Sequence, residues 1–92
     1  MLNGENIELC WQVLSKYGEE NQRRKVIEEC AELIQAINHK HRGRTHNISE
    51  EIADVEICLE QLKIINGCED EVEAMREAKL ERLYDRICNN CF

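Results

Sequence analysis

The sequence predicts an all-α protein of the four-helix-bundle type, with a bundle completed by association between copies. Three observations lead there. Glu, Leu, Ile, Lys, Arg and Ala dominate, Pro is absent, and no stretch alternates apolar and polar residues as a half-buried strand does. Glycines at 18, 43 and 67 cut the chain into four segments, each with apolar residues at helical spacing. Ninety-two residues make one domain, spanning 1–92, and a core that small is marginal unless shared across subunits.

The first helix is expected from about Glu5 to Tyr17, with Ile7, Cys10, Trp11, Leu14 and Tyr17 on one face and Gly18 ending it. Asn21 is placed to cap a second helix from Gln22 to His41, which buries Val26, Ile27, Cys30, Leu33, Ile34 and Ile37. Gly43 breaks the chain again. Asn47 to Glu50 has the spacing of a capping box, with Asn in the place of Ser or Thr, and opens a third helix running to about Ile65. Asn66 and Gly67 stop it, and a fourth helix runs from near Glu69 to about Cys88. Short connections between four helices read as an antiparallel bundle.

A net charge of -7 argues against nucleic acid as a main partner, since duplex binding needs a basic surface, and fits divalent cations better. The start, MLNGENIELCWQVL, has neither a basic n-region nor a continuous apolar run, and no stretch approaches ~18 apolar residues. The expectation is a cytoplasmic protein with no membrane span. Cys10, Cys30 and Cys58 fall on apolar helix faces and read as free thiols acting as small hydrophobes. Cys88 and Cys91 form a single CxxC, short of the four ligands of a structural zinc site.

Carboxylates lie where a core helix would carry apolar residues. With Ile48 at zero on a helical wheel, Ile52, Val55, Leu59 and Leu62 span roughly 320° to 40°, Glu51 falls near 300° and Asp54 near 240°. With Val26 at zero, the stripe of the second helix centres near 40°, and Glu29 and Glu32 fall near 300° and 240°. Each helix thus carries two acids at i, i+3 beside the core, and Glu28 adds a third to the second helix. Such a cluster costs several kcal/mol per unpaired charge unless it is neutralised by Lys and Arg or by a divalent metal. Mg²⁺ takes carboxylate oxygens and readily shares its shell with phosphates. On the fourth helix Lys79, Arg82 and Arg86 interleave with an apolar face of Met75, Leu80, Leu83 and Ile87, so they offer either phosphate contacts or partners for the acids.

EECAE at 28–32 followed by EIAD at 51–54 matches EExxE…ExxD. This paired motif resembles that of the MazG-like all-α nucleotide pyrophosphohydrolases, relatives of the dimeric dUTPases and of phosphoribosyl-ATP pyrophosphohydrolase. The resemblance extends from Gln22 through NISEEIADVEICLEQLK to EAKLERLYDRI. It implies Mg²⁺-dependent cleavage between the α- and β-phosphates of a nucleoside triphosphate, giving a monophosphate and pyrophosphate. Glu29, Glu32, Glu51 and Asp54 would be metal ligands, Glu28 would hold a second ion or orient water, and Lys79 and Arg82 would contact phosphates. It also implies a homodimer or homotetramer.

Outside the motif, Trp11 reads as core, with stacking on a base as the alternative. The basic run HKHRGRTH at 39–46 reads as compensation of a helix C-terminus, with phosphate capture as the alternative, and His39, His41 and His46 lack the regular spacing of a metal site. A non-enzymatic alternative also stands: a helical oligomerisation module in which Lys79, Arg82 and Arg86 pair with the acids.

Overall fold

The computed structural model describes residues 4–89. These form four helices, α1 (Gly4–Tyr17), α2 (Glu19–His41), α3 (Ile48–Asn66) and α4 (Glu69–Cys88), with no strand among the described residues. Cys91 of the CxxC lies outside them. Cys10, Cys30, Cys58, Cys68 and Cys88 are free thiols.

Two of the predicted breaks close in the same way. At the end of α3 the Gly67 N–H donates to Ile64 O and the Cys68 N–H to Lys63 O, with Gly67 left-handed at φ 60°. At the end of α2 the Gly43 N–H donates to Lys40 O and the Arg44 N–H to His39 O, with Gly43 at φ 70°. This pairing satisfies the last helical carbonyls, and its left-handed residue is costly for any side chain but glycine or asparagine. The start of α2 differs from expectation. The helix begins at Glu19, after Gly18, so Asn21 lies inside it, and its Nδ2 donates backward to Tyr17 O at 2.8 Å. Asn47 does precede α3, but its amide donates to the Glu51 side chain instead of receiving a backbone N–H.

The antiparallel hairpin of α2 and α3 is the centre of the molecule. Gln22 lines the same cavity as Gln61, Glu29 lies opposite Glu51 and Asp54, and His39 lies opposite Asn47. The buried arc of α2 is Gln22, Val26, Glu29 and Ala36, with Cys30 and Leu33 half-buried. That arc is turned by roughly 80° from the centre of the apolar stripe, toward the acids. Ile27, Ile34 and Ile37, expected inside, are 69%, 61% and 49% exposed. On α3 the buried set is Glu51, Val55, Cys58 and Ile64, while Ile52 and Leu59 face outward. Helix α1 lies across this pair through Cys10, Val13 and Leu14, and Trp11 stays half-exposed instead of entering the core.

Helix α4 packs against α3 alone and buries no residue. Met75, Leu80, Leu83 and Ile87 are exposed, so the bundle is open on this side within one chain. The radius of gyration, 16.2 Å, reflects this. A compact chain of this length has a value near 12 Å (~2.2·N^0.38).

Candidate metal centre

The middle of the α2–α3 hairpin carries the acids. Glu29 enters from α2; Glu51 and Asp54, one turn apart, enter from α3. One carboxylate oxygen from each of the three lies within 4.8 Å of the others. Glu29 and Glu51 are 5% and 7% exposed, and Asp54 is half-buried. Two polar neighbours hold the outer oxygens. Lys25 Nζ sits 3.0 Å from Glu29 Oε1, and Asn47 Nδ2 donates to Glu51 Oε1 at 2.9 Å. The inner oxygens, Glu29 Oε2 and Glu51 Oε2, are sealed from solvent without a hydrogen-bond partner.

Magnitudes decide what such a centre needs. At this separation two carboxylates repel by about 3.5 kcal/mol at an effective dielectric constant of 20. Lys25, 3.0 Å from Glu29 with its own side chain 55% exposed, offsets at most one of the three charges. Lys25 therefore does not balance three converging acids. A small dication does, and two buried, unpartnered oxygens with a third alongside form the oxygen-only donor set that a hard cation prefers. The residues present fit Mg²⁺ or a cation like it.

Glu32 lies at the rim. It is exposed, yet the charge of Glu29, slight burial and the charge of Glu51, with side-chain contact to both, raise its pKa above the usual glutamate value. A carboxyl raised in the folded state stabilises the fold most below its unfolded pKa, and that stability is lost as pH climbs through the raised value. Without divalent cations the contribution of Glu32 to the melting temperature is therefore expected to shrink as pH rises from about 4.5 toward neutrality. Glu32→Gln should remove that component of the slope against pH, and thermal melts read by circular dichroism across the window would show it. An unchanged slope in Glu32→Gln would show that the repulsion at Glu32 is not felt by the fold.

Other predicted residues are placed elsewhere. Glu28 is exposed on the outer flank of α2, where its charge acts on Lys25. Lys79 and Arg82 line a shallow cleft with Leu83 and Arg86 on α4. The described chain pairs none of these three cations with Glu29, Glu51 or Asp54, which removes the pairing that the non-enzymatic alternative required within one chain. Three contributors were not foreseen. Lys25 and Asn47 each lie four residues before an acid of the trio, the spacing at which helical side chains meet, so their signal was present. Gln22 carried none: a glutamine near a helix start reads as surface.

Two cavities flank the trio. One, of about 560 Å³, includes Glu29 and Asp54 and runs between α1, α2 and α3. The other, of about 410 Å³, is lined by Glu32, Gln35, Ala36, His39, Asn47 and Glu51. Burial pushes the Cys58 thiol upward in pKa, and the charge of Glu29 pushes it further, so the sulfur beside the acids is held protonated.

No described helix is long and apolar enough to cross a membrane. Neither the curated proteins nor the solved structures contain a match to this sequence. A family model, the MazG nucleotide pyrophosphohydrolase domain, matches residues 17–82, which takes in α2, α3 and most of α4 together with every acid described above. On that match, covering well over half of the sequence, the chain belongs to the MazG nucleotide pyrophosphohydrolase family.

Proposed function

We propose that this protein is a Mg²⁺-dependent nucleoside triphosphate pyrophosphohydrolase, cleaving the α–β phosphoanhydride to leave a nucleoside monophosphate and pyrophosphate. The observation that carries the reading is the pair of sealed, unpartnered oxygens of Glu29 and Glu51 converging with Asp54. Family membership supports the reaction type. Glu29, Glu51 and Asp54 would hold the ion, with Glu32 at its edge. The ion supplies Lewis-acid polarisation of the phosphoryl oxygens and screening of their charge.

The chain's own groups do the rest. Lys25 and Asn47 hold Glu29 and Glu51 in position from outside the cluster. Glu32, open to solvent at the mouth of the second cavity, orients water and accepts its proton. Glu28 stands further out and assists only at the periphery. Lys79 and Arg82 supply phosphate contacts from α4.

We assign the last role to a second copy, since Lys79 and Arg82 line clefts walled by α4 residues alone, with none of the acids among them. The accessible surface supports this. It is 7306 Å², against about 5,500 Å² for a compact monomer of this mass. An excess of this size, with Ile27, Ile34, Leu80, Leu83 and Ile87 outward, matches what an obligate interface covers. We therefore read the working unit as a homodimer or a pair of dimers.

The test is pyrophosphate release from a panel of ribo- and deoxynucleoside triphosphates, with Mg²⁺ and with chelator. Turnover of at least one triphosphate that stops on chelation is expected. A folded sample inactive on every triphosphate would overturn the reading.

A further inference from the structure

We propose that the cavity between α1, α2 and α3 seats the nucleobase and that Gln22 is the side chain that reads it. This rests on the nucleotide reading above and extends it to selectivity.

The cavity begins at the acids, with Glu29 and Asp54 at one end, and leads away from them along Lys25, Cys58, Gln61 and Gln22 to Tyr17. At about 560 Å³ it falls within the usual range for small-ligand sites. Its walls suit a flat, neutral, polar-edged ring. Val13, Ile57 and the Tyr17 ring supply apolar and aromatic surface, while Asn21, Gln22 and Gln61 supply carboxamides. Lys25, the cation here, is already engaged by Glu29. The cavity on the far side of the acids lacks such walls: apart from Ala36 its lining is polar or charged.

Gln22 is the residue that calls for a ligand. It lies on the buried arc of α2 and is 7% exposed. Its carboxamide has no hydrogen-bond partner among the described residues. Neither of its polar atoms is sealed like those of Glu29 and Glu51, and the residue lines the cavity. The amide's donors and acceptor are left to water in the free protein, and a base edge offering the complementary pattern replaces that water. Gln61 is steadied beside the Cys10 thiol, and the hydrogen bond from Asn21 to Tyr17 O fixes the turn that presents the tyrosine. A carboxamide presents one donor face and one acceptor, so it distinguishes bases by edge pattern in a way an apolar residue does not.

The experiment uses the ¹⁵N-labelled full-length chain without metal, titrated with each of the four deoxynucleoside monophosphates. Saturable shifts of the Gln22 and Gln61 side-chain amides are expected, with affinities that differ among the bases. Gln22→Leu should reduce that discrimination by about ten- to a hundred-fold, the range of one bidentate base contact. Absence of shifts at both amides would overturn the assignment, as would a Gln22→Leu chain, helical by circular dichroism, that keeps the wild-type order of bases. Inorganic tripolyphosphate with Mg²⁺ serves as the separate arm for the acids. If it raises the melting temperature while no monophosphate shifts Gln22 or Gln61, the base subsite falls and the metal reading stands. If the monophosphates shift those amides and tripolyphosphate does nothing, the metal reading falls alone.

Discussion

Glu51→Gln is expected to lose pyrophosphohydrolase activity by at least about a hundred-fold and, in chelator, to melt at or above the wild-type temperature. The two effects have one cause. In the metal-free protein the Glu51 carboxylate is 7% exposed, shares a space of 4.8 Å with Glu29 and Asp54, and has one oxygen unpartnered. Glutamine keeps an acceptor for Asn47 and removes one of three converging charges, at the cost of an amide N–H₂ with no acceptor assured. Relief of repulsion at about 3.5 kcal/mol per pair exceeds that cost of ~1–3 kcal/mol. A net gain of even 1 kcal/mol raises the melting temperature of a chain this size by ~4–8 °C. With Mg²⁺ the order reverses. An ion at a hundred times its dissociation constant stabilises the wild type by about 2.7 kcal/mol, and Glu51→Gln forfeits most of that. Thermal melts in chelator and in millimolar Mg²⁺, at one protein concentration, separate the cases. A variant that is less stable than wild type in both conditions, by similar amounts, would show that Glu51 is structural and holds no ion.

What could be read in advance divides along physical lines. The helix ends were visible because glycine takes a left-handed turn most cheaply, and Gly43 and Gly67 do so. The acids were visible because their i, i+3 spacing put Glu51 inside an apolar sector, and it is buried. The direction each helix faces was not. The apolar residues of α2 span a wide arc, and a wheel does not say which part meets α3. Gln22, Val26, Glu29 and Ala36 turn inward, and Ile27 and Ile34 are left outside. Trp11, half-exposed, follows the same rule: a large apolar residue goes inside only if its own chain supplies the other wall. Asn21 failed as a cap because Gly18 lets the helix begin earlier, and its amide then found Tyr17 O. Gln22 was invisible because its significance lies in what it does not bond to, which only packing reveals.

Mixing two inactive variants is expected to restore activity. Lys79→Ala and Glu51→Gln should each be nearly inactive alone, the first for want of a phosphate contact and the second for want of a metal ligand. The clefts that Lys79 lines are walled by α4 residues alone, Val72, Met75, Arg76, Leu80 and Leu83 in one and Arg82, Leu83 and Arg86 in the other, with none of the acids among them. If the α4 of one copy serves the acids of another, a mixed dimer contains one site with both parts intact. The Lys79→Ala chain supplies Glu51 and the Glu51→Gln chain supplies Lys79. Random pairing of equal amounts makes half the dimers mixed, each with one competent site of two, so about a quarter of wild-type activity should return. The variants are unfolded together in denaturant and refolded, with separately refolded samples combined afterward as the control. If Lys79 instead served the acids of its own chain, every site in the mixture would still lack one part, and activity would stay at the level of the controls. The exposed Leu80 and Leu83 beside Lys79 give the reason to expect recovery: the exposed apolar face and the cations proposed to contact phosphate share one helix, so a single docking of α4 onto a second copy would cover the one and deliver the other.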